Sequence, residues 1–244
     1  MNTIINILLP AMVFCAILPS QTPFETDIIN TESGDLAITF IAHASLRLEY
    51  QGRIIYLDPC SHFADYTGMP TADFILITHS HFDHLDTLAI REISDTTTRI
   101  IGARQVGDTL PAITVMANGD TMDMDGIRIQ AVPAYNLIHK RDTGQVYHLK
   151  GDGNGYVITV SDVRVYVAGD TENIPEMKEL EKIDIAFLPM NLPYTMTSVM
   201  VMDAVGMFHP KILYPYHTGD TDIQTLIDLM MDIRECEVRV RNLK

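Results

Sequence analysis

The chain has 244 residues, enough for one large domain with a sizeable core, and its 47% hydrophobic and 20% charged residues are the composition of a globular protein. A formal net charge of −15 with no basic run excludes nucleic acid as a general partner and an anionic membrane surface as a docking site, because phosphate binding needs clustered Lys and Arg. Beyond the N-terminus no stretch approaches the roughly 20 apolar residues that span a bilayer, so no membrane span is expected in the mature chain.

Residues 4–19 are nearly all apolar and are followed by Gln21-Thr22-Pro23. We read residues 1–20 as a secretory signal peptide, although no Lys or Arg precedes the apolar run; a buried first strand or helix is the other reading. Residues 21–244 then form a single domain that starts near Gln21 and is periplasmic or secreted; without a signal it is cytoplasmic. Cys15 invites lipidation, but Met12-Val13-Phe14 matches a lipidation box poorly. Cys60 and Cys236 remain, and sequence neither pairs nor separates them.

Residues 36–42, 45–50 and 53–57 read as an antiparallel meander with a Gln51-Gly52 turn. His43 lies in its first bend and Asp58-Pro59 closes its third strand. Each is either a turn former or a support for a metal ligand, Asp58 by accepting a hydrogen bond from a ligand histidine. His62, in a polar loop, reads as a surface residue. The run Phe74-Ile75-Leu76-Ile77 reads as a buried strand, and Asp86 as the N-cap of a helix to residue 93. Short strands are expected at 99–101, 113–116 and 127–132, and then a polar, glycine-containing loop at 140–155 that carries His148. A hairpin at 156–160 and 163–168 follows. Helices at 175–181, 197–208 and 222–233 alternate with strands at 183–188 and 212–214, before an edge strand at 237–241. Residues 72–78 and 183–189 are alike: each is a buried strand introduced by Asp and leading into a polar loop, which suits two similar β-rich halves.

Between the strand at 74–77 and the helix after Asp86 stands Thr78-His79-Ser80-His81-Phe82-Asp83-His84-Leu85-Asp86. It puts three histidines and two carboxylates into nine residues at a strand end, where α/β proteins place their chemistry. Imidazole and carboxylate suit Zn2+ and similar ions. His79 and His81 share a side if strand geometry persists, and Asp83 and His84 come round the next turn toward a second ion.

Thr-His-x-His-x-Asp-His is the signature of the metallo-β-lactamase-fold hydrolases, and the chain resembles that family from about residue 36 to its end. The resemblance implies an α+β fold, a four-layer αββα sandwich with two β-sheets packed face to face, helices outside and metals at one edge. It further implies that Asp170, in Gly169-Asp170-Thr171, bridges two ions and that His217, after Tyr214-Pro215-Tyr216, is a ligand. The third family histidine has no simple counterpart here: by position its slot falls on Asn136, by chemistry His139 is the better donor, and we place His139 there. A compromised site holding one ion is the other possibility.

The implied set is therefore His79, His81 and His139 for one ion and Asp83, His84 and His217 for the other, with Asp170 between them. The cofactor is two divalent ions, Zn2+ with Mn2+ or Fe2+ as alternatives. The implied activity is hydrolysis of a small-molecule ester, lactone or phosphodiester by a metal-held hydroxide, with Asp83 and His84 at the reacting atoms. A non-catalytic metal-binding protein of the same fold is the alternative. Tyr135 and Tyr194 flank the expected rim, as substrate donors or as packing residues. The wording around residues 41–46, 133–136 and 194–197 is similar to the branch that includes the ascorbate-phosphate lactonase and the N-acyl-phosphatidylethanolamine phospholipase.

Overall fold

The computed structural model describes residues 24–243; the expected signal peptide and Cys15 lie outside the described residues. The first sheet has seven strands in chain order: β1 (Glu25–Thr31), β2 (Gly34–Ala42), β3 (Ser45–Tyr50), β4 (Arg53–Leu57), β5 (Phe74–Ile77), β6 (Arg99–Gly102) and β7 (Thr114–Val115). The second also has seven, running back from the C-terminus: β8 (Thr121–Met124), β9 (Ile127–Ala134), β10 (Gly153–Val160), β11 (Val163–Val167), β12 (Ile185–Pro189), β13 (Ile212–Tyr216) and β14 (Glu237–Val238). In each sheet the first four strands pair antiparallel and the later ones parallel.

The likeness between residues 72–78 and 183–189 is a real structural equivalence. β5 and β12 each begin the parallel part of their sheet. The Asp73 carboxylate accepts from Ile54 N at 2.8 Å and the Asp184 carboxylate from Arg164 N at 2.8 Å, so each caps the strand beside it. Both strands are buried on both faces. Phe74 and Leu76 face the inter-sheet core, whereas Ile75 and Ile77 face helices; Ile185 and Phe187 against Ala186 and Leu188 repeat the division. A strand covered on both sides has no polar face, which is why these two segments read as continuous apolar runs.

Helices α1 (Thr87–Ile93) and α2 (Val106–Thr109) cover the outer face of the first sheet through Ala89, Ile90, Ile93 and Val106. Helices α3 (Ser198–Phe208) and α4 (Ile223–Met230) cover the second through Val201, Val205, Phe208 and Leu226. The result is the four-layer αββα sandwich expected. Asp86, Thr197 and Asp222 accept from backbone N–H groups of α1, α3 and α4 as N-caps. His209, directly before Pro210, ends α3 in a left-handed conformation.

The segment expected as a helix at 175–181 is a 3-10 turn, Pro175–Glu179. β1, α2 and β8 had no counterpart in the expected elements. β1, Glu-Thr-Asp-Ile-Ile-Asn-Thr, is an edge strand with no fully buried position, so it lacks the alternation that marks half-buried strands. It is held from the far end of the chain: Asp27 pairs with Arg241 Nη2 at 2.7 Å and receives the Tyr214 hydroxyl. Burial pushes the Asp27 carboxyl up, but the hydrogen bonds from Arg241 and Tyr214 and the Arg charges outweigh it and hold it below its ordinary value. A depressed carboxyl adds stability above its unfolded value of about 3.9, and that increment disappears as the pH falls. Asp27→Asn should therefore lower unfolding stability by about 2 kcal/mol at neutral pH. In denaturant titrations the gap to wild type should shrink below about pH 4; a gap constant with pH would show that the ion pair does not clamp the termini.

Candidate metal centre

The donors arrive on the ends of strands at one edge of the sandwich. β2 leads into His43, β5 into His79, His81, Asp83 and His84, β11 into Asp170, and β13 into His217. His43, Asp58 and His217 have φ of 55°, 43° and 47°. For side chains with a Cβ this left-handed backbone costs roughly 1–2 kcal/mol each, so the surrounding fold must hold them there. Gly169, at φ 66°, needs its missing side chain, because a Cβ would lie 2.9 Å from Asn154 O and 3.1 Å from Thr78 Cβ. Asp170 can reach the edge only because the residue before it is glycine.

Two donor clusters result: His79, His81, His148 and Asp170, and His43, Asp83, His84 and His217, with the ligand atoms of each set within 4.8 Å of one another. Asp170 faces both. Its Oδ2 lies 3.2 Å from His148 Nε2, and its Oδ1 lies 3.4 Å from His84 Nε2 and 3.5 Å from His217 Nε2. Asp83 Oδ2 lies 3.2 Å from His43 Nε2 and 3.4 Å from His217 Nε2.

The structure brings together His79, His81, Asp83, His84, Asp170 and His217 of the expected set, but not His139. His139 Nδ1 points at Glu172 Oε1, 2.7 Å away, and His139 belongs to neither cluster. His148, from the loop at 140–155, stands in its place. The Asn136 side chain is turned to His148 instead. Asn136 Oδ1 accepts from His148 N at 3.1 Å and faces His148 Nδ1 at 2.5 Å, while Nδ2 donates to Tyr194 O at 2.8 Å and to Glu172 Oε1. That bond places the His148 proton on Nδ1 and turns the Nε2 lone pair into the cluster. Glu172 pins the same loop by accepting from the N–H groups of Leu137, Ile138 and His139 at 2.6–2.7 Å. Burial raises its carboxyl, but these N–H groups and Asn136 lower it further, and the net shift is downward.

Asp58 performs the supporting role that was one of its two readings. It is buried, its Oδ2 lies 2.8 Å from His84 Nδ1, and it accepts from Thr78 N at 2.8 Å and Thr78 Oγ1 at 2.6 Å. Thr78 Oγ1 also lies 3.0 Å from His79 Nδ1, so Asp58 orients His84 directly and His79 through one hydroxyl. His43, which was open between two readings, joins the second cluster and stacks on Phe63 with centroids 4.1 Å apart. His62 is exposed, as expected. Tyr135 is not at the rim: it is buried and its hydroxyl donates to Glu176 at 2.9 Å. Tyr194 is at the rim. Cys60 packs beneath the site, and burial pushes its thiol up to about 11, which leaves it unreactive.

A cation fits these donors. His79 Nε2 faces His81 Nδ1 at 3.0 Å and His148 Nε2 faces the same atom at 3.2 Å, so three ring nitrogens converge where one cation could take all of them. His84 Nε2, both ring nitrogens of His217 and Asp170 Oδ1 are buried without a hydrogen-bond partner, a rare condition that an ion would relieve. Burial and the neighbouring histidines hold His79 well below its ordinary value, so it stands neutral. Burial works against a charge on His84, but Asp170 and Asp58 outweigh it and raise it to about 9. The donor set of imidazoles and carboxylates, with no thiolate, suits Zn2+, Mn2+ or Fe2+.

A beta-lactamase superfamily domain matches residues 37–217, from β2 to His217, and so encloses every donor. The chain belongs to that superfamily. Within it, a UPF0173 metal-dependent hydrolase of Thermococcus onnurineus (strain NA1) is 31% identical over 198 residues, covering 74% of this chain and 83% of that protein. A crystal structure from Parabacteroides distasonis ATCC 8503, provisionally assigned as a metal-dependent hydrolase, is 50% identical with a TM-score of 0.86; the match covers 91% of this chain and all of that one. Igni18, a metallo hydrolase from Ignicoccus hospitalis KIN4/I, shares the metallo-β-lactamase fold at 23% identity and a TM-score of 0.68, over 85% of this chain and 95% of that one.

Exchanging the two candidate histidines separates their roles. Asn136→Ala should weaken metal binding by about 10- to 100-fold, as loss of a supporting hydrogen bond does, and His148→Ala by at least as much. His139→Ala should bind like wild type. Competition with a chromophoric chelator measures all three, with circular dichroism to confirm folding. Loss of metal in His139→Ala alone would return the third position to His139.

Proposed function

We propose that this protein is a metal-dependent hydrolase that holds two divalent ions, zinc or a similar metal, and cleaves an ester, lactone or phosphodiester. The observation that carries the reading is Asp170, one buried carboxylate with an oxygen turned toward each donor cluster. Ions held by the two clusters would supply Lewis acidity and bring the pKa of a water toward neutrality.

The chain's own residues account for the remainder. Asp170 ties the clusters together, while Asp58 and Asn136 keep the Nε2 lone pairs of His84 and His148 aimed inward. Asp83 lines the open cleft beside them. Burial pushes its carboxyl up, but His217 and His43 beside it, at 3.4 and 3.2 Å, and His84 hold it far below the ordinary range. Asp83 therefore stays ionised, a hydrogen-bond acceptor that orients the nucleophile rather than a proton donor. His43 Nε2, against Asp83 Oδ2 at 3.2 Å, fixes that carboxylate's direction.

The non-catalytic reading rested on Asn136 in a ligand slot. With Asn136 hydrogen-bonded to His148, no observation favours it. The apolar residues 4–19 support export to the periplasm or beyond.

Elemental analysis of protein starting near Gln21, prepared without chelator, should find about two equivalents of divalent metal per chain, one for each donor cluster. A single equivalent would remove the bridging role of Asp170, and failure to bind added metal would overturn the reading. His81→Ala should lose at least about 1000-fold in ester, lactone or phosphodiester hydrolysis while remaining folded. Unchanged turnover in that variant would sink the metal mechanism.

A further inference from the structure

Above the donor clusters lies a cleft of about 440 Å³. Its walls carry two carboxylates, Asp83 and Asp170, which the donor clusters use, and a single Lys or Arg among the described residues, Arg141. No carboxylate reaches the Arg141 guanidinium among the described residues. It lies over the Tyr147 ring, 5.0 Å from the centroid, and the Tyr147 ring in turn packs edge-on against Tyr194 at 4.9 Å. A chain of net charge −15 thus turns an unpaired cation toward its own reaction cleft.

Arg141 is held in place by the fold. Its N–H donates to Gln145 O at 2.8 Å, its carbonyl accepts from Gly144 N at 2.8 Å, and Lys140 and Val146 form a bridge across the same turn. That turn belongs to the loop whose base Glu172 and Asn136 pin and whose far arm carries His148. The loop that completes one donor cluster therefore also sets the guanidinium. The rest of the rim is aromatic: Phe63, Phe82 and Tyr194 are 41%, 72% and 43% exposed, an unusual exposure for aromatic rings unless something covers them.

We propose that Arg141 is a specificity-determining residue, and that the substrate is an anion: an apolar body that covers Phe63, Phe82 and Tyr194, with a carboxylate or phosphate group, separate from the bond that is cleaved, paired to the Arg141 guanidinium. A fork of N–H donors stacked on a tyrosine recognises a planar oxyanion in two-point fashion. The aromatic faces take up the uncharged part. This substrate class rests on the hydrolase reading above, but the anion site is testable apart from it.

The test uses metal-loaded wild type, Arg141→Gln and Arg141→Lys. Two 4-nitrophenyl esters are compared, with acyl chains of equal length ending in a carboxylate or a carboxamide. Wild type should favour the carboxylate in kcat/KM by roughly 10- to 100-fold, the worth of a charged hydrogen-bonded pair. In Arg141→Gln that ratio should fall toward unity, with an intermediate ratio in Arg141→Lys. In parallel, calorimetry measures binding of 4-phenylbutyrate, its amide and phenyl phosphate to the same proteins. Tighter binding of an acid than of the amide, lost in Arg141→Gln, supports the proposal, and whichever acid binds better tells carboxylate from phosphate. An equal response to acid and amide in wild type overturns it. So does a preference that survives Arg141→Gln, since the acid would then be bound by the metals. Absence of turnover on both esters would count against ester hydrolysis and leave the binding arm to decide the anion site.

Discussion

A buried carboxylate surrounded by imidazoles is the constraint on which this edge of the molecule depends. Asp170 is almost wholly buried, and the histidines around it offset the loss of hydration. Burial alone would neutralise it, yet the neighbouring His217 and His84 hold its carboxyl well below the ordinary range. The carboxylate thus remains ionised where a hydrophobic sandwich would otherwise exclude charge. Its position follows from Gly169, whose left-handed backbone turns the chain out of β11.

Around this centre the supporting residues form two parallel arrangements, one for each half of the sandwich. β4 leads to Asp58 and β11 to Asp170; each is the last antiparallel strand before its sheet turns parallel. Asp170 faces the clusters directly, whereas Asp58 acts from behind through His84 and Thr78. The equivalent strand end in each half thus leads to a carboxylate, one residue on for Asp58 and three for Asp170, one serving the foundation of the site and one the site itself. Neither is free to move. Three residues at strand ends are kept in costly left-handed backbone, and His217 N donates to His43 O, tying the second cluster across the two sheets.

The loop from Asn136 to His148 joins the donor centre to the cleft above it. Glu172 gathers three consecutive N–H groups at one end, and Asn136 fastens both the backbone and the ring of His148 at the other. A loop so anchored presents its side chains with little ordering cost on binding, which is how irregular segments on a rigid scaffold come to carry chemistry. The aromatic rim and Arg141 take their positions from this anchoring and from the His43–Phe63 stack.

Much of this was legible in the residues. The signature from Thr78 to Asp86 closes a strand so apolar that its two-sided burial could be read directly, and the Asp-capped likeness between residues 72–78 and 183–189 disclosed the two halves. Asp170 and His217 were accessible through the resemblance, because each follows a strong strand at short range. β1 was not legible, since an exposed edge strand carries no alternation. His148 was not either. It lies fourteen residues beyond the end of β9 in a loop without periodicity, and what brings it inward is Asn136, itself held by Glu172 thirty-six residues further along. His139, closer in sequence to the expected slot, was the natural choice by composition, yet Glu172 draws its ring away from the cluster. The sequence by itself determined the strands, the layers and the donors that immediately follow a strand end, because local pattern and burial specify those. Which histidine of a long loop completes the first cluster, and that Arg141 faces the cleft, only the tertiary structure decided, because hydrogen bonds between distant segments set the path of that loop.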